Sequence, residues 1–251
     1  MTAARERVVV ITGASGGIGA ALAELLSKRG FSLALVARRV DELRAVSNRC
    51  GENAAPIVAD VTRREEVRRV VEQALARFGR IDVWVNNVGQ GISRAPSQLT
   101  DEDIDDIMRV NVKSALYGMQ EVLPHFQQRG DGHVINVSSM LGRIPFFVPR
   151  SAYSAAKHFL NALTANFRME LEQTHPGIQI SLVSPGVVRT DFGLNAIHGG
   201  VNSRELPNSQ SAEEAAEVIA GVIESRRPDV YTHPGSHDGV VGYYDSAGQD
   251  P

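Results

Sequence analysis

Tyr153 stands four residues before Lys157. On a helix that spacing puts the phenol and the ammonium on one face. A free tyrosine titrates near ~10 and carries protons poorly at neutral pH. A cation beside it favours the phenolate and draws that value down, which yields a general acid/base for chemistry near physiological pH. With five tyrosines and three lysines in the chain, the pair alone is a weak signal. Its weight depends on what the chain places beside it, beginning with Ser139 upstream.

The elements that must position this pair alternate in type. Residues 8–11, 33–36, 56–59, 83–85, 133–137, 178–183 and 229–232 are β-branched or apolar runs and read as strands. Between them, residues 18–29, 40–49 and 152–173 read as helices, the first stopping at Gly30. Thr62-Arg63-Arg64-Glu65 has the capping-box pattern and is expected to open a helix that runs to Phe78. Thr100 to Asp103 and Ser211 to Glu214 open two more. Strand–helix alternation throughout predicts an α/β fold with a doubly wound, mostly parallel sheet. No linker or repeat divides residues 1–251, so a single domain is expected. Residues 191–210 read as a substrate lid or, on the plainer view, a surface loop. Residues 233–251 read as a polar, Gly-rich tail with partial disorder.

The run Val10-Ile11-Thr12-Gly13-Ala14-Ser15-Gly16-Gly17-Ile18-Gly19 passes from a buried strand through small residues into a helix. Glycines permit a tight turn and a close approach of backbone to ligand. The helix start then offers free amides and partial positive charge to a pyrophosphate.

With Tyr153 and Lys157, the spacing Thr12-Gly13-x-x-x-Gly17-x-Gly19 resembles the short-chain dehydrogenase/reductase family in its shorter single-domain form. Further motifs follow in the family's order. Asn86-Asn87-Val88-Gly89 ends the fourth strand, where the family usually reads Asn-Asn-Ala-Gly. Asn111 matches the family's helix Asn, Ser138-Ser139 ends the fifth strand and Pro185-Gly186 follows the sixth. The resemblance spans nearly the whole chain and implies a Rossmann-like sheet. It also implies hydride transfer between a nicotinamide and a carbonyl or alcohol carbon. In that reaction Tyr153 gives a proton to the carbonyl oxygen and Ser139 donates a hydrogen bond to it. Lys157 lowers the Tyr153 pKa and reaches the nicotinamide ribose, and Asn111 holds a water that links Lys157 to solvent. Ser139 is preferred to Ser138 because it lies nearer the family's usual distance from Tyr153, although the connecting loop is one residue longer than usual.

The resemblance places Gly13, Ser15, Gly17, Ile18 and Gly19 under the cofactor, Asp60 and Val61 at its adenine, and Asn87 and Gly89 along it. Pro185, Gly186, Val188 and Thr190 belong to its nicotinamide end, with Tyr153 and Lys157. A site for the unphosphorylated cofactor usually carries an acid at the end of the second strand. Here that strand ends Ala37-Arg38-Arg39. A guanidinium suits a 2′-phosphate, so NADP(H) is expected over NAD(H), with Arg38 as anchor and Arg39 as the alternative.

The net charge of -3 provides no footprint for nucleic acid or anionic lipid. Cys50 is the only cysteine, which excludes an internal disulfide. No secretory pattern or membrane-length apolar stretch occurs, and a cytoplasmic protein is expected. His-Glu-x-x-His is absent, and Pro234 and Gly235 separate His233 from His237, so no metal is expected. Gly-x-Ser-x-Gly is also absent. The resulting expectation is an NADP(H)-dependent ketoreductase or alcohol dehydrogenase acting on a small or medium apolar substrate. It would be a homodimer or homotetramer through helices near 104–124 and 152–173. The alternatives are a non-catalytic cofactor-binding or regulatory protein of the same fold, and a dehydratase or epimerase.

Overall fold

All five residues of β1 (Val8–Thr12) are buried, because helices cover both faces of the sheet it joins. The computed structural model describes residues 7–247. Its sheet has seven strands in the order β3-β2-β1-β4-β5-β6-β7, every neighbouring pair parallel. The other strands are β2 (Ser32–Ala37), β3 (Ala54–Val58), β4 (Val83–Asn86), β5 (Gly132–Val137), β6 (Ile178–Ser184) and β7 (Asp229–Tyr231). Strand order reverses between β1 and β4, the place where open α/β sheets bind ligands beyond the carboxyl ends of their strands.

Alternation along β1 divides the core. Val9 and Ile11 face the layer of α1 (Gly17–Lys28), α2 (Val40–Cys50) and α7 (Ala212–Ser225), where they meet Leu22, Leu43 and Ile219. Val10 faces the layer of α3 (Arg64–Phe78), α5 (Ser114–Arg129) and α6 (Ser151–Thr174), among Val70, Phe126 and Leu171. Parallel strands buried on both faces read as continuous apolar runs, and these do.

Three local expectations need correction. The helix after β3 has Arg63, not Thr62, as its N-cap, with no side-chain cap. The Thr62 hydroxyl instead donates to Asp60 Oδ1 at 2.8 Å, and Glu66 Oε2 accepts the Asp60 amide at 2.8 Å. An acid two residues upstream has out-competed the capping amide for the threonine. Second, the segment near 104–124 is not one helix. α4 (Asp101–Met108) opens on the Thr100/Asp103 capping box, and a π turn over Arg109–Lys113 separates it from α5. Third, the tail is helical as α8 (Ser236–Ala247), with Tyr244 Oη donating to the Arg143 carbonyl at 2.8 Å. Gly239 and Gly242 hide this helix from a reading by propensity. Residues 248–251 of the expected tail lie outside the described residues.

Candidate active site

The glycine turn is held between two strand ends. The Ala14 amide donates to the Val36 carbonyl at 3.1 Å. Just past β4, the Asn87 side chain donates to the Thr12 carbonyl at 3.0 Å, while Thr12 Oγ1 accepts the Asn87 amide at 3.0 Å. Gly17 has φ +55°, a conformation that side chains other than glycine's rarely adopt. A Cβ on Gly19 would lie 2.3 Å from the Gly13 carbonyl oxygen, so α1 packs against β1 only because residue 19 has none. Gly16 caps α1 in an extended conformation without a side-chain hydrogen bond, which leaves the first helical amides available. Ile18 packs from there against the α1–α2 core.

A cavity of about 310 Å³ opens beside this helix start, lined by Ser15, Gly16 and Gly17 on one side and Arg189, Thr190 and Arg204 on the other. Thr190 Cγ2 would be 3.3 Å from a Cβ on Gly17, so the segment after β6 closes directly over the turn. The Pro185 carbonyl accepts the Met140 amide at 2.8 Å, and Gly186 sits beside His233. Val188 forms a parallel bridge with Gln210. At the end of β2, Arg39 Nη2 donates to Ser15 Oγ at 3.1 Å, and Arg38 is exposed. Asp60 is half-buried with its carboxylate on Thr62, and Val61 is buried. Free amides at a helix start, a cradle that a single Cβ would fill and a flanking guanidinium form a donor set that fits a dinucleotide diphosphate.

Tyr153 and Lys157 lie in the first turns of α6 and are 6% and 2% exposed. Lys157 Nζ donates to the Val137 carbonyl at 3.0 Å and lies 5.7 Å from the centre of the Tyr153 ring. The Ser139 hydroxyl faces Tyr153 and favours its ionised form. Ser138, in contrast, donates to Asn161 Oδ1. Of the two serines, Ser139 is the one that faces Tyr153. Asn111 lies in the π turn, where its side chain accepts from the Gln90 amide at 3.1 Å and donates to the Gln90 and Ile107 carbonyls. A Cβ on Gly89 would stand 3.2 Å from Asn111 Oδ1 and 3.5 Å from Lys157 Nζ, so all three border one small space. An i→i+5 turn at such a place is a frequent mark of function.

The electrostatics run opposite to the expectation from Tyr–Lys spacing. Burial pushes Tyr153 up to about 12, against the pull of Ser139 and the Arg150 charge. Burial brings Lys157 down to about 7. Each group's charged form loses its hydration in the interior, and the ammonium is spent on the Val137 carbonyl rather than on the phenol.

Two neighbours of Tyr153 escaped the sequence reading. The Phe192 ring packs on Tyr153 with centroids 5.4 Å apart, a contact from the segment after β6 that no local pattern announces. The Arg150 guanidinium is charge-coupled to Tyr153 and only 6% exposed. Its signal was available: a cation one turn before the tyrosine, directly after Pro149.

The reversed strand order above a glycine-lined helix start defines an α/β dinucleotide-binding protein. Residues 7–198 match the family described as short chain dehydrogenase, and the chain belongs to that family of nicotinamide-binding oxidoreductases. It is 37% identical over 194 residues to an uncharacterized oxidoreductase of Staphylococcus saprophyticus, covering 76% of this chain and 78% of the relative. Among solved structures, an alcohol dehydrogenase from the archaeon Thermococcus sibiricus complexed with 5-hydroxy-NADP is 27% identical. The match covers 90% of this chain and 96% of that one, with a TM-score of 0.79. A short chain dehydrogenase/reductase from Burkholderia phymatum in complex with NAD, 22% identical, has the same fold with a TM-score of 0.88 over 100% of this chain and 99% of its own.

Proposed function

We propose that this oxidoreductase transfers hydride between NADP(H) and the carbonyl or alcohol carbon of a small or medium substrate with an apolar body, with Tyr153 as general acid/base. The observation that carries this reading is the meeting of Asn111 and Lys157 at Gly89, with Ser139 facing Tyr153 and Lys157 5.7 Å from the Tyr153 ring. Gly13, Ser15, Gly17, Ile18, Gly19, Asn87, Gly89, Pro185, Gly186, Val188 and Thr190 hold the dinucleotide, with Asp60 and Val61 toward the adenine. The sequence favours Arg38 as anchor of the 2′-phosphate, with Arg39 as the alternative; the position of Arg39 on the Ser15 hydroxyl favours Arg39 as that anchor, with Arg38 beside it. Bound there, the nicotinamide supplies the hydride that the carbonyl carbon accepts.

The chain's own part is proton management. With its pKa pushed up, Tyr153 holds its proton and is ready to give it to the carbonyl oxygen. Ser139 donates a hydrogen bond to the same oxygen as negative charge develops there. Lys157 lies low enough to exchange protons near neutrality, and it returns a proton to Tyr153 along the space shared with Asn111. Residues 191–210 act as the lid, with Phe192 closing on Tyr153. A homodimer or homotetramer is proposed through α4–α5 and α6, whose Ile104, Phe159 and Met169 are exposed.

The test is incubation with NADPH or NADH and a panel of ketones, aldehydes and 3-oxoacyl thioesters, following reduced-cofactor absorbance. Turnover with NADPH favoured is expected. Tight cofactor binding without turnover of any carbonyl or alcohol would replace this reading with a cofactor-binding regulatory protein.

A further inference from the structure

Arg150 is an isolated cation in a place where isolation is costly. It is 94% buried, being 6% exposed. Among the described residues no acid lies within ion-pair distance of it, and its Nη1 has no hydrogen-bond partner. Acids of the surrounding segments are already engaged, Asp103 by Arg94 and His198 and Asp191 by Arg204. Burying a guanidinium without a counter-charge is unfavourable unless an anion joins it when the protein works.

The surroundings leave room for this side chain and aim it. A Cβ on Gly91 would lie 2.0 Å from Arg150 Nη1. A Cβ on Gly200 would lie 2.7 Å from Nη2 and 3.1 Å from Ser93 Oγ. Gly91 follows the Asn87–Gly89 run, and Gly200 belongs to the lid. Ile197 joins the two segments through a parallel bridge to Ile92. Phe192 borders Gly91 as well as Tyr153, so one aromatic ring lies beside both the guanidinium and the phenol. Arg150 does not line the cavity of Ser15, Gly17 and Thr190, where the cofactor's diphosphate belongs.

We propose that Arg150 binds a carboxylate on the substrate, so that the substrates are oxo acids or hydroxy acids with an apolar body. The planar fork of the guanidinium suits a carboxylate in a way an ammonium does not. The anion would supply the counter-charge that Arg150 lacks among the described residues. This inference rests on the carbonyl-reductase reading, and its test has one arm that does not depend on turnover.

In the first arm, wild type, Arg150→Met and Arg150→Lys are assayed with NADPH. The substrates are oxo carboxylates differing in keto-to-carboxylate distance, each paired with its methyl ester. Wild type should favour the best acid over its ester by roughly 100-fold or more in kcat/KM. That ratio should fall toward one in Arg150→Met and only partly recover in Arg150→Lys. In the second arm, binding of the unreactive hexanoate anion to the NADPH-loaded proteins is measured by calorimetry. Wild type should bind it at least about tenfold more tightly than Arg150→Met. Methionine has similar length and removes a buried charge, so Arg150→Met should fold. NADPH affinity and thermal midpoint confirm this independently. Equal use of acid and ester by wild type, or hexanoate binding unaffected by Arg150→Met, would overturn the proposal. Equal loss for acid and ester with a displaced pH profile would also overturn it, by making Arg150 an electrostatic partner of Tyr153. If wild type reduces no carbonyl at all, the proposed reaction fails, while the hexanoate arm still decides the role of Arg150.

Discussion

The two halves of the site are built from different materials. The glycine turn is mostly backbone: carbonyls and amides of Thr12, Gly13, Ala14 and Val36, closed by the side chains of Thr12 and Asn87, with Arg39 on Ser15. The other side, built around the proposed lid of residues 191–210, is a mesh of long-range side-chain contacts: Phe192 on Tyr153, His198 on Asp103, Arg204 on Asp191 and Arg150 against Gly91. The contrast follows from the ligands each must meet. A diphosphate is constant and is met by amides that every chain carries. A substrate is particular to each enzyme and must be met by side chains, which vary without disturbing the sheet.

The boundary between the halves runs through Tyr153, and its removal should have the largest effect. Tyr153→Phe deletes the proton donor and little else, so turnover should fall about 10²–10⁴-fold while cofactor titration changes little. Unchanged turnover in steady-state assays would remove Tyr153 from the proposed mechanism.

A pair of glycines then separates the halves. A Cβ on Gly19 meets the Gly13 carbonyl at 2.3 Å, and one on Gly193 meets the Val201 carbonyl at 2.1 Å. Each alanine replacement forces backbone apart and should cost about 1–3 kcal/mol, readable as a lower thermal midpoint. The functional signatures should diverge. Gly19→Ala should weaken cofactor binding about tenfold or more, whereas Gly193→Ala should raise KM for substrate and leave cofactor titration in place. If Gly193→Ala weakens the cofactor as much as Gly19→Ala, the division into halves is wrong.

The same division explains what the sequence disclosed. The sheet and the turn were legible because strand periodicity, small residues and helix starts are local, and the resemblance added Asn111 and Ser139. The π turn that carries Asn111 was not legible, since Arg109–Lys113 has ordinary helical composition. What marks it in the structure is the bonding of Asn111 to the Gln90 backbone, a contact outside the helix. Thr62 misled because Asp60, two residues back, took its hydroxyl. The direction of the Tyr153 shift misled because residue spacing reveals a neighbour's charge but not the depth at which both groups lie.

Cofactor choice should respond more modestly, because Arg39 is exposed and already shared with Ser15 and Glu42. Arg39→Ala should lower the NADPH-to-NADH ratio of kcat/KM by about 10- to 100-fold, chiefly through NADPH. A ratio that does not move would shift the phosphate contact to Arg38.

The smallest expected effect tests whether the lid side is held by its side-chain clasps. Asp103 completes the Thr100 capping box of α4 and also accepts His198 from the proposed lid at 2.8 Å and Arg94 at 2.7 Å. The His198 hydrogen bond, with the Thr100 amide and Arg94, holds its carboxyl below the usual carboxylate range. A depressed carboxylate contributes its stabilisation in full above the ordinary value near ~3.9 and loses it as pH falls through the native value. The clasp should therefore hold at neutral pH and release only in strong acid. His198→Ala should raise the Asp103 titration toward the ordinary carboxylate value, visible by carboxyl NMR. At neutral pH it should speed hydrogen exchange across residues 191–200 by about two- to fivefold, with the glycine turn unaffected. Exchange that quickens equally in both regions would mean that lid and turn open as one unit.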